Sequence, residues 1–177
     1  HFCTHNLRGD LVGYVRLVPP DPQNGHFLWQ RYCTALIPGI QLPPADEAAE
    51  ISRLMVRGDY RRRRGDTLIG LTRQDDEDGP VSGERRVESP QILLSLYRQM
   101  YMYSVRTGIR YWYAAMEKPL ARSLSRMSFS FRQVGEEVDY FGPVAPYVAD
   151  LRELEERLER ANPSLLAWMQ MPETSND

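Results

Sequence analysis

The stretch "EISRLMVRGDYRRRRGD", residues 50–66, decides the fold, because an apolar strand pattern runs directly into a basic loop here. Ile51, Leu54 and Val56 are apolar and a charged loop follows, so residues 49–56 are predicted to form a strand. Glu50 stands near the start of this strand, where an ionisable side chain must be solvated or paired. The sequence leaves two interpretations of Glu50 open: one half of an ion pair with Arg16 or Arg53, or a functional carboxylate.

Residues 57–66, called the basic loop below, carry five arginines against two aspartates. Backbone N–H groups at a junction between strand, loop and helix can hold a phosphate, and arginine adds charge-assisted hydrogen bonds. A solvated charged loop is the alternative. The net charge of the chain is −2, which argues against nucleic acid as a partner, so any basic function must be local.

Strand and helix patterns alternate on both sides of this stretch. A helix separates the strand at 49–56 from the next strand, and such a crossover makes the two strands parallel neighbours. The sequence therefore predicts an α/β (α+β) fold with helices packed on a sheet. The predicted elements are a hairpin within 1–18, the strand at 49–56, a helix from Ser89 or Pro90 to Gly108, a strand at 109–117, a helix at 118–128, extended segments at 129–134 and 136–142, and a helix at 148–161.

Length and composition indicate a single domain. The chain has 177 residues, 42% hydrophobic and 26% charged, which is ordinary for a globular protein with a core. Residues 70–89 are polar and charged in blocks, and we expect a mobile insertion there. Two cysteines are too few for a disulfide framework, so we expect a cytoplasmic, reducing setting. No stretch approaches the length of a membrane span, and the oligomeric state stays open.

Other reactive side chains lie in weaker patterns. Cys3 and His5 share one face of the first predicted strand, where they could form a nucleophile pair or simply lie half buried. Tyr97, Tyr101 and Trp112 recur at helix and strand periods, which favours the core over base stacking. The cysteines and histidines never reach ligand spacing, and "DDEDG" lacks the closing glutamate of a calcium loop, so no metal site is predicted.

The basic loop resembles the acyl-CoA-binding motif of the GNAT acyltransferase fold, "V-x3-YRRRRGD" following a strand directly. The core pattern of that motif is (Gln/Arg)-x-x-Gly-x-(Gly/Ala). Arg62 and Gly65 match its first two positions, whereas Thr67 departs from the last one.

Two further motifs narrow the resemblance. "GYVRLVPP" (13–20) resembles the "ARLLP" segment of acyl-homoserine lactone (autoinducer) synthases, and "EISRLMV" (50–56) resembles their "E-x-SRF-V" segment. Both segments also occur in N-acyl amino acid synthases. Residues 108–151 look most like the acyltransferases that accompany the PEP-CTERM/exosortase system, and the whole resemblance covers roughly residues 10–168.

The resemblance implies a GNAT-like mixed, twisted sheet flanked by helices and a reaction without a metal. An acyl group would pass from an acyl-CoA or acyl carrier protein thioester to a small-molecule amine such as an amino acid. The amine must lose a proton before it attacks, and Glu50 matches the glutamate that would take it. Arg16 and Arg53 match family arginines that would orient Glu50 or bind a carboxylate of the acceptor.

The resemblance also implies where the acyl donor binds. Backbone groups of Leu54, Met55 and Val56 would hold the thioester and the developing oxyanion, where this strand parts from residues 110–116. A pantetheine phosphate or the acidic face of a carrier protein would contact the basic loop at Arg61, Arg62, Arg63, Arg64, Gly65 and Asp66.

Two other functions stay open: an acetyl-CoA-dependent N-acetyltransferase, and a non-catalytic GNAT-like binding module with a basic loop. A long apolar cleft between the parted strands would favour long acyl chains, and bulky Tyr or Trp side chains there would favour acetyl. The lactone synthases carry N-terminal aromatic residues and carboxylates that shape their amine site. This chain starts at His1, beyond them, so we expect a first strand and helices to be absent, and S-adenosylmethionine is not implied as acceptor.

Overall fold

The computed structural model describes residues 1–57, 83–140 and 142–172. Most of the basic loop lies outside the described residues, including Arg61–Arg64, Gly65 and Asp66. The same holds for most of the insertion predicted at 70–89. The expectations for these residues therefore stay predictions.

A mixed β-sheet forms the centre of the fold. Its strands are β1 (Phe2–His5), β2 (Leu11–Val18), β3 (Ala48–Val56), β4 (Tyr111–Met116), β5 (Arg132–Gln133), β6 (Val138–Asp139) and β7 (Pro143–Asp150). They lie in the order β1-β2-β3-β4-β7-β5, and β6 also pairs with β7. The predicted hairpin of β1 and β2 and the predicted parallel pairing of β3 with β4 are both confirmed.

Helices cover one side of the sheet, called the helix face. They are α1 (Gly83–Thr107), α2 (Lys118–Arg126), α3 (Leu151–Ala161) and α4 (Pro163–Gln170). The main hydrophobic core lies under them, and the predicted core residues Tyr97, Tyr101 and Trp112 are buried in it. No helix in the described part of the chain is long and apolar enough to cross a membrane.

An irregular segment, residues 19–47, covers part of the opposite side of the sheet, called the loop face. It contains two short 3-10 turns, Leu28–Arg31 and Ala45–Glu47. Its apolar side chains form a second, smaller core with residues of the sheet, namely Phe27, Trp29, Cys33, Ala48, Tyr113, Val134 and Val148. The apolar character of these side chains explains why a proline-rich segment folds back on the strands.

Several predicted boundaries are wrong. Residues 143–150 form the long strand β7, so the helix predicted at 148–161 begins only at Leu151. Burial on both faces of β7 gives no alternating pattern, and Asp150 ends the strand by accepting a hydrogen bond from the Arg152 N–H at 2.9 Å.

The other boundary errors concern lengths. The helix predicted from Ser89 or Pro90 begins at Gly83, because helix-forming Glu and Arg residues precede the proline. Extended pairing within 129–134 is limited to β5, and within 136–142 it is limited to β6. Helix α4 was not predicted at all; Asn162 caps it by accepting from the Leu165 N–H at 3.1 Å.

Candidate active site

The sheet divides between β3 and β4. Their parallel pairing joins Ala48–Glu50 to Tyr111–Tyr113 and goes no further. Beyond Glu50, β3 stays paired with β2 as far as Val56, while β4 stays paired with β7 as far as Met116. A gap therefore opens in the sheet immediately after Glu50, where the sequence analysis expected the strands to part.

A β-bulge lies on the β3 side of this gap. Tyr14 and Arg16 of β2 face Met55 and Ser52 of β3, so three steps along β3 match two steps along β2. Arg53 lies within this bulge and has a φ of 61°, in the left-handed region that a non-glycine residue rarely adopts. The bulge turns the exposed Arg53 side chain away from the core.

Apolar side chains flank the gap on the helix face. Leu54 and Val56 of β3 pack against the main core, and Ala114 and Met116 of β4 are buried in it. No Tyr or Trp side chain stands at these four positions. The backbone of Leu54, Met55 and Val56, predicted to contact the acyl donor, thus borders an opening toward an apolar interior.

Glu50 is only 6% exposed and lies on the loop face at the closed end of the gap. One carboxylate oxygen, Oε2, accepts a hydrogen bond from the backbone N–H of Trp29 at 3.1 Å, at the start of a 3-10 turn. Burial raises the pKa of Glu50, and hydrogen bonds from Trp29 and Leu28 together with the charge of Arg16 offset part of that rise. A raised pKa makes this carboxylate a stronger base than an exposed glutamate, which suits it to accept a proton.

Arg16 lies beside Glu50 but is not ion-paired with it. Its Nη2 donates to Ser52 Oγ at 3.1 Å, and its Nε is buried without an acceptor. Within the described ranges the ion pairs are Arg57–Asp10 and Arg110–Asp150. The interpretation of Glu50 as the partner of Arg16 or Arg53 in an ion pair is therefore wrong, and backbone N–H groups take that place.

Three residues of this site were not found from the sequence. Trp29 bonds to Glu50 through its backbone, and its ring packs on Tyr113 at 5.4 Å between centroids. Tyr113 faces Glu50 in the β3–β4 register. Cys33 is 2% exposed, and burial and the charge of Glu50 both raise the pKa of its thiol. The large apolar residues of the proline-rich segment 19–47 were the sequence feature that could have indicated that this segment covers the sheet.

Tyr32 and Tyr140 form an exposed stacked pair near Arg53. Their ring centroids are 3.9 Å apart, and the two planes are inclined by 25°. A hydrogen bond between the two hydroxyls raises the pKa of Tyr140, and the charge of Arg53 acts in the opposite direction. The positive charge of Arg53 therefore acts on this aromatic pair at the surface.

The remaining candidates do not join the site. Cys3 and His5 lie on β1, as predicted, and both side chains are exposed at the edge of the sheet, two strands away from β3. Among the residues that the structure describes, no group of three His, Cys, Asp or Glu side chains could hold a metal ion. A cavity of about 550 Å³ lies between β1, α1 and α4 rather than at Glu50; Val12, Ile92, Leu165 and Trp168 are among its lining residues.

Comparisons with known proteins agree with this architecture. Residues 1–70 match the family model described as an acetyltransferase (GNAT) domain. No curated protein matches the sequence significantly.

Solved structures with a similar fold include TofI, BjaI and MesI. TofI in complex with an inhibitor and MTA is 14% identical, with a TM-score of 0.55 over 92% of this chain and 70% of that one. BjaI, a CoA-dependent acyl-homoserine lactone synthase with SAM and isopentyl-CoA, is 17% identical, with a TM-score of 0.54 over 89% and 62%. MesI, also a CoA-dependent acyl-homoserine lactone synthase, is 18% identical, with a TM-score of 0.52 over 90% and 67%. The predicted GNAT-like mixed α/β fold is confirmed, and this chain has it in a form similar to that of the acyl-homoserine lactone synthases.

Proposed function

We propose that the chain is an N-acyltransferase that moves an acyl group from an acyl-CoA or acyl carrier protein thioester to an amine such as an amino acid. The observation that carries the proposal is the buried Glu50 at the point where β3 and β4 part. A carboxylate with a raised pKa beside an opened sheet brings a proton acceptor next to a place where a thioester can lie.

The reaction needs three events at this place. The acceptor ammonium gives a proton to Glu50, directly or through water, and the free amine attacks the thioester carbonyl carbon. The carbonyl oxygen gains negative charge, which backbone N–H groups of Leu54–Val56 would stabilise. The attacking nitrogen then loses its second proton, the carbon–sulfur bond breaks, the sulfur takes up that proton and leaves as a thiol, and the new amide carries the acyl group.

The arginines of the site have distinct proposed roles. Arg16 donates to Ser52 and its charge acts on Glu50, so it would orient Glu50 or bind a carboxylate of the acceptor. Arg53 stands exposed at the bulge and would act on a substrate at the mouth of the site. Arg61–Arg64, Gly65 and Asp66 remain proposed contacts for a pantetheine phosphate or a carrier protein.

The size of the acyl group follows from the residues that border the gap. Leu54, Val56, Ala114 and Met116 place apolar surface there, which favours an acyl chain longer than acetyl. An association with exosortase biology rests on the resemblance of residues 108–151 alone and stays part of this proposal.

Thiol release tests the proposal. The protein is incubated with decanoyl-CoA, decanoyl acyl carrier protein or acetyl-CoA, each with and without a mixture of amino acids and simple amines. We expect amine-dependent release of thiol from a decanoyl donor and an N-decanoyl amide in the mass spectrum. Turnover of acetyl-CoA alone would indicate an acetyltransferase, and no turnover with any donor would indicate a binding module.

A further inference from the structure

Two buried N–H donors on the loop face have no acceptor. They are the indole Nε1 of Trp29 and the guanidinium Nε of Arg16, and neither has a hydrogen-bond partner among the described residues. Trp29 as a whole is 2% exposed, so water does not reach its ring freely. Buried donors are almost always satisfied in folded proteins, and exceptions tend to mark a ligand or an ordered water.

Both donors belong to residues that surround Glu50. Trp29 donates its backbone N–H to Glu50 Oε2 at 3.1 Å, and its ring lies on Tyr113, the residue opposite Glu50. Arg16 is held at Ser52, two residues along β3 from Glu50. The two residues therefore belong to different elements, the irregular segment and β2, and both bond to β3 at or near Glu50.

The charges of this group match a zwitterion. Glu50 supplies a negative charge and Arg16 a positive one, and the charge of Arg16 acts on Glu50. An acceptor that carries an ammonium and a carboxylate would pair the first with Glu50 and the second with Arg16. A plain amine would satisfy Glu50 alone and leave the two N–H donors without an oxygen.

We propose that Trp29 is a specificity-determining residue, whose indole N–H and the Arg16 Nε together bind the carboxylate of the acceptor. This inference rests on the proposed function, because it assigns the group that recognises the amine substrate. Trp29 then has two roles: its backbone N–H binds Glu50, and its indole N–H binds the carboxylate next to the reacting nitrogen of the acceptor.

Kinetics with matched acceptors test this role. The substrates are L-amino acids and the amines that remain when their carboxylate is removed, with decanoyl-CoA as donor and thiol release as readout. Trp29→Phe keeps an aromatic ring and removes only the N–H. We expect the KM for the amino acid to rise about tenfold or more, since the lost hydrogen bond goes to a charged group. The KM for the matched amine should rise much less, so the preference for the amino acid over the amine, measured as the ratio of the two kcat/KM values, should fall.

Trp112→Phe is the matched control. The Trp112 indole N–H is buried and already donates to Ser104 Oγ at 2.9 Å, on the helix face of the sheet. This variant loses a structural hydrogen bond, so the melting temperature should fall while the preference for the amino acid over the amine stays as in the wild type.

A spectroscopic measurement on the wild-type protein covers the case in which Trp29→Phe does not fold. The chain has three tryptophans, so the indole N–H signal of Trp29 can be assigned by elimination with Trp112→Phe and Trp168→Phe. We expect that signal to shift when the amino acid is added and to stay in place with the matched amine.

The outcomes separate this inference from the function on which it rests. Wild-type protein that releases no thiol with any acceptor overturns the proposed function and this inference with it. Turnover with equal effects of Trp29→Phe on both acceptors, or an indole signal that neither compound moves, overturns the role of Trp29 alone. Either of these last two results would mean that a buried water, not the substrate, accepts the hydrogen bond of the Trp29 indole N–H.

Discussion

Replacing Arg53 by glycine is expected to stabilise the fold, because Arg53 holds a φ of 61° at the bulge of β3. A residue with a Cβ pays roughly 1–2 kcal/mol for the left-handed conformation, whereas glycine adopts it freely. Glycine costs about 0.5–1 kcal/mol more chain entropy on folding than alanine. The difference leaves Arg53→Gly more stable than Arg53→Ala by about 0.5–1 kcal/mol.

The alanine variant is the matched control, since both variants remove the guanidinium and only glycine relieves the backbone. For a chain of this size, about 1 kcal/mol corresponds to a melting temperature higher by roughly 2–4 °C. Thermal unfolding of the two variants, measured side by side, gives this difference in melting temperature. If Arg53 contacts substrate, the rate of thiol release should fall equally in both variants. A glycine variant that melts at or below the alanine variant would refute the strained bulge.

Three further predictions concern stability. In Gly13→Ala the new Cβ would lie 2.6 Å from Ile92 Cγ2, so we expect a loss of about 1–3 kcal/mol in chemical denaturation; an unchanged midpoint would contradict the close packing of α1 on β2. Burial alone would raise the pKa of Asp150, but Arg110, 2.7 Å away, and other hydrogen bonds lower it overall. A lowered pKa stabilises the folded state at pH values above the pKa of the unfolded chain, and this stabilisation is lost as the pH falls. The free energy of unfolding of wild type should therefore exceed that of Asp150→Asn at pH 7, and the difference should shrink below about pH 4. A difference that stays constant with pH would contradict this prediction. The pKa of Glu50 is raised, so its ionisation in the folded state costs stability, and Glu50→Gln should gain stability relative to wild type as the pH rises above the unfolded value of about 4. A difference in stability that does not grow with pH would mean that Glu50 ionises without cost.

The centre of the fold could be predicted from sequence because local pattern and topology agreed there. An apolar run bounded by a charged loop indicated β3, and the intervening helix required that β4 lie beside it in parallel. The pattern also placed Glu50 on this strand, and the family resemblance implied that the strand parts from residues 110–116. The residues around Glu50 could not be predicted from the sequence, since Trp29 and Glu50 are 21 positions apart and come into contact only when an irregular segment folds over the sheet.

Two features were missed for identifiable reasons. Strand β7 contains Pro143 and Pro146, which argue against a strand, yet Pro146 pairs with Ala115 inside the sheet. The bulge could not be predicted from the sequence, because glycine normally marks a left-handed position and here Arg53 occupies it. In both cases tertiary burial overrides the local preference of the chain.

The proton-accepting role of Glu50 is the central claim, and Glu50→Gln tests it most directly. Glutamine keeps an oxygen that can accept the Trp29 N–H, so the turn above it should remain in place. The measurement is single-turnover thiol release from a decanoyl thioester across pH, with Glu159→Gln on the exposed face of α3 as the control. We predict that Glu50→Gln lowers the rate by about 10²–10⁴-fold and removes the pH dependence due to this carboxylate, while the control behaves as wild type. A Glu50→Gln protein that keeps the wild-type rate and pH profile would contradict the account.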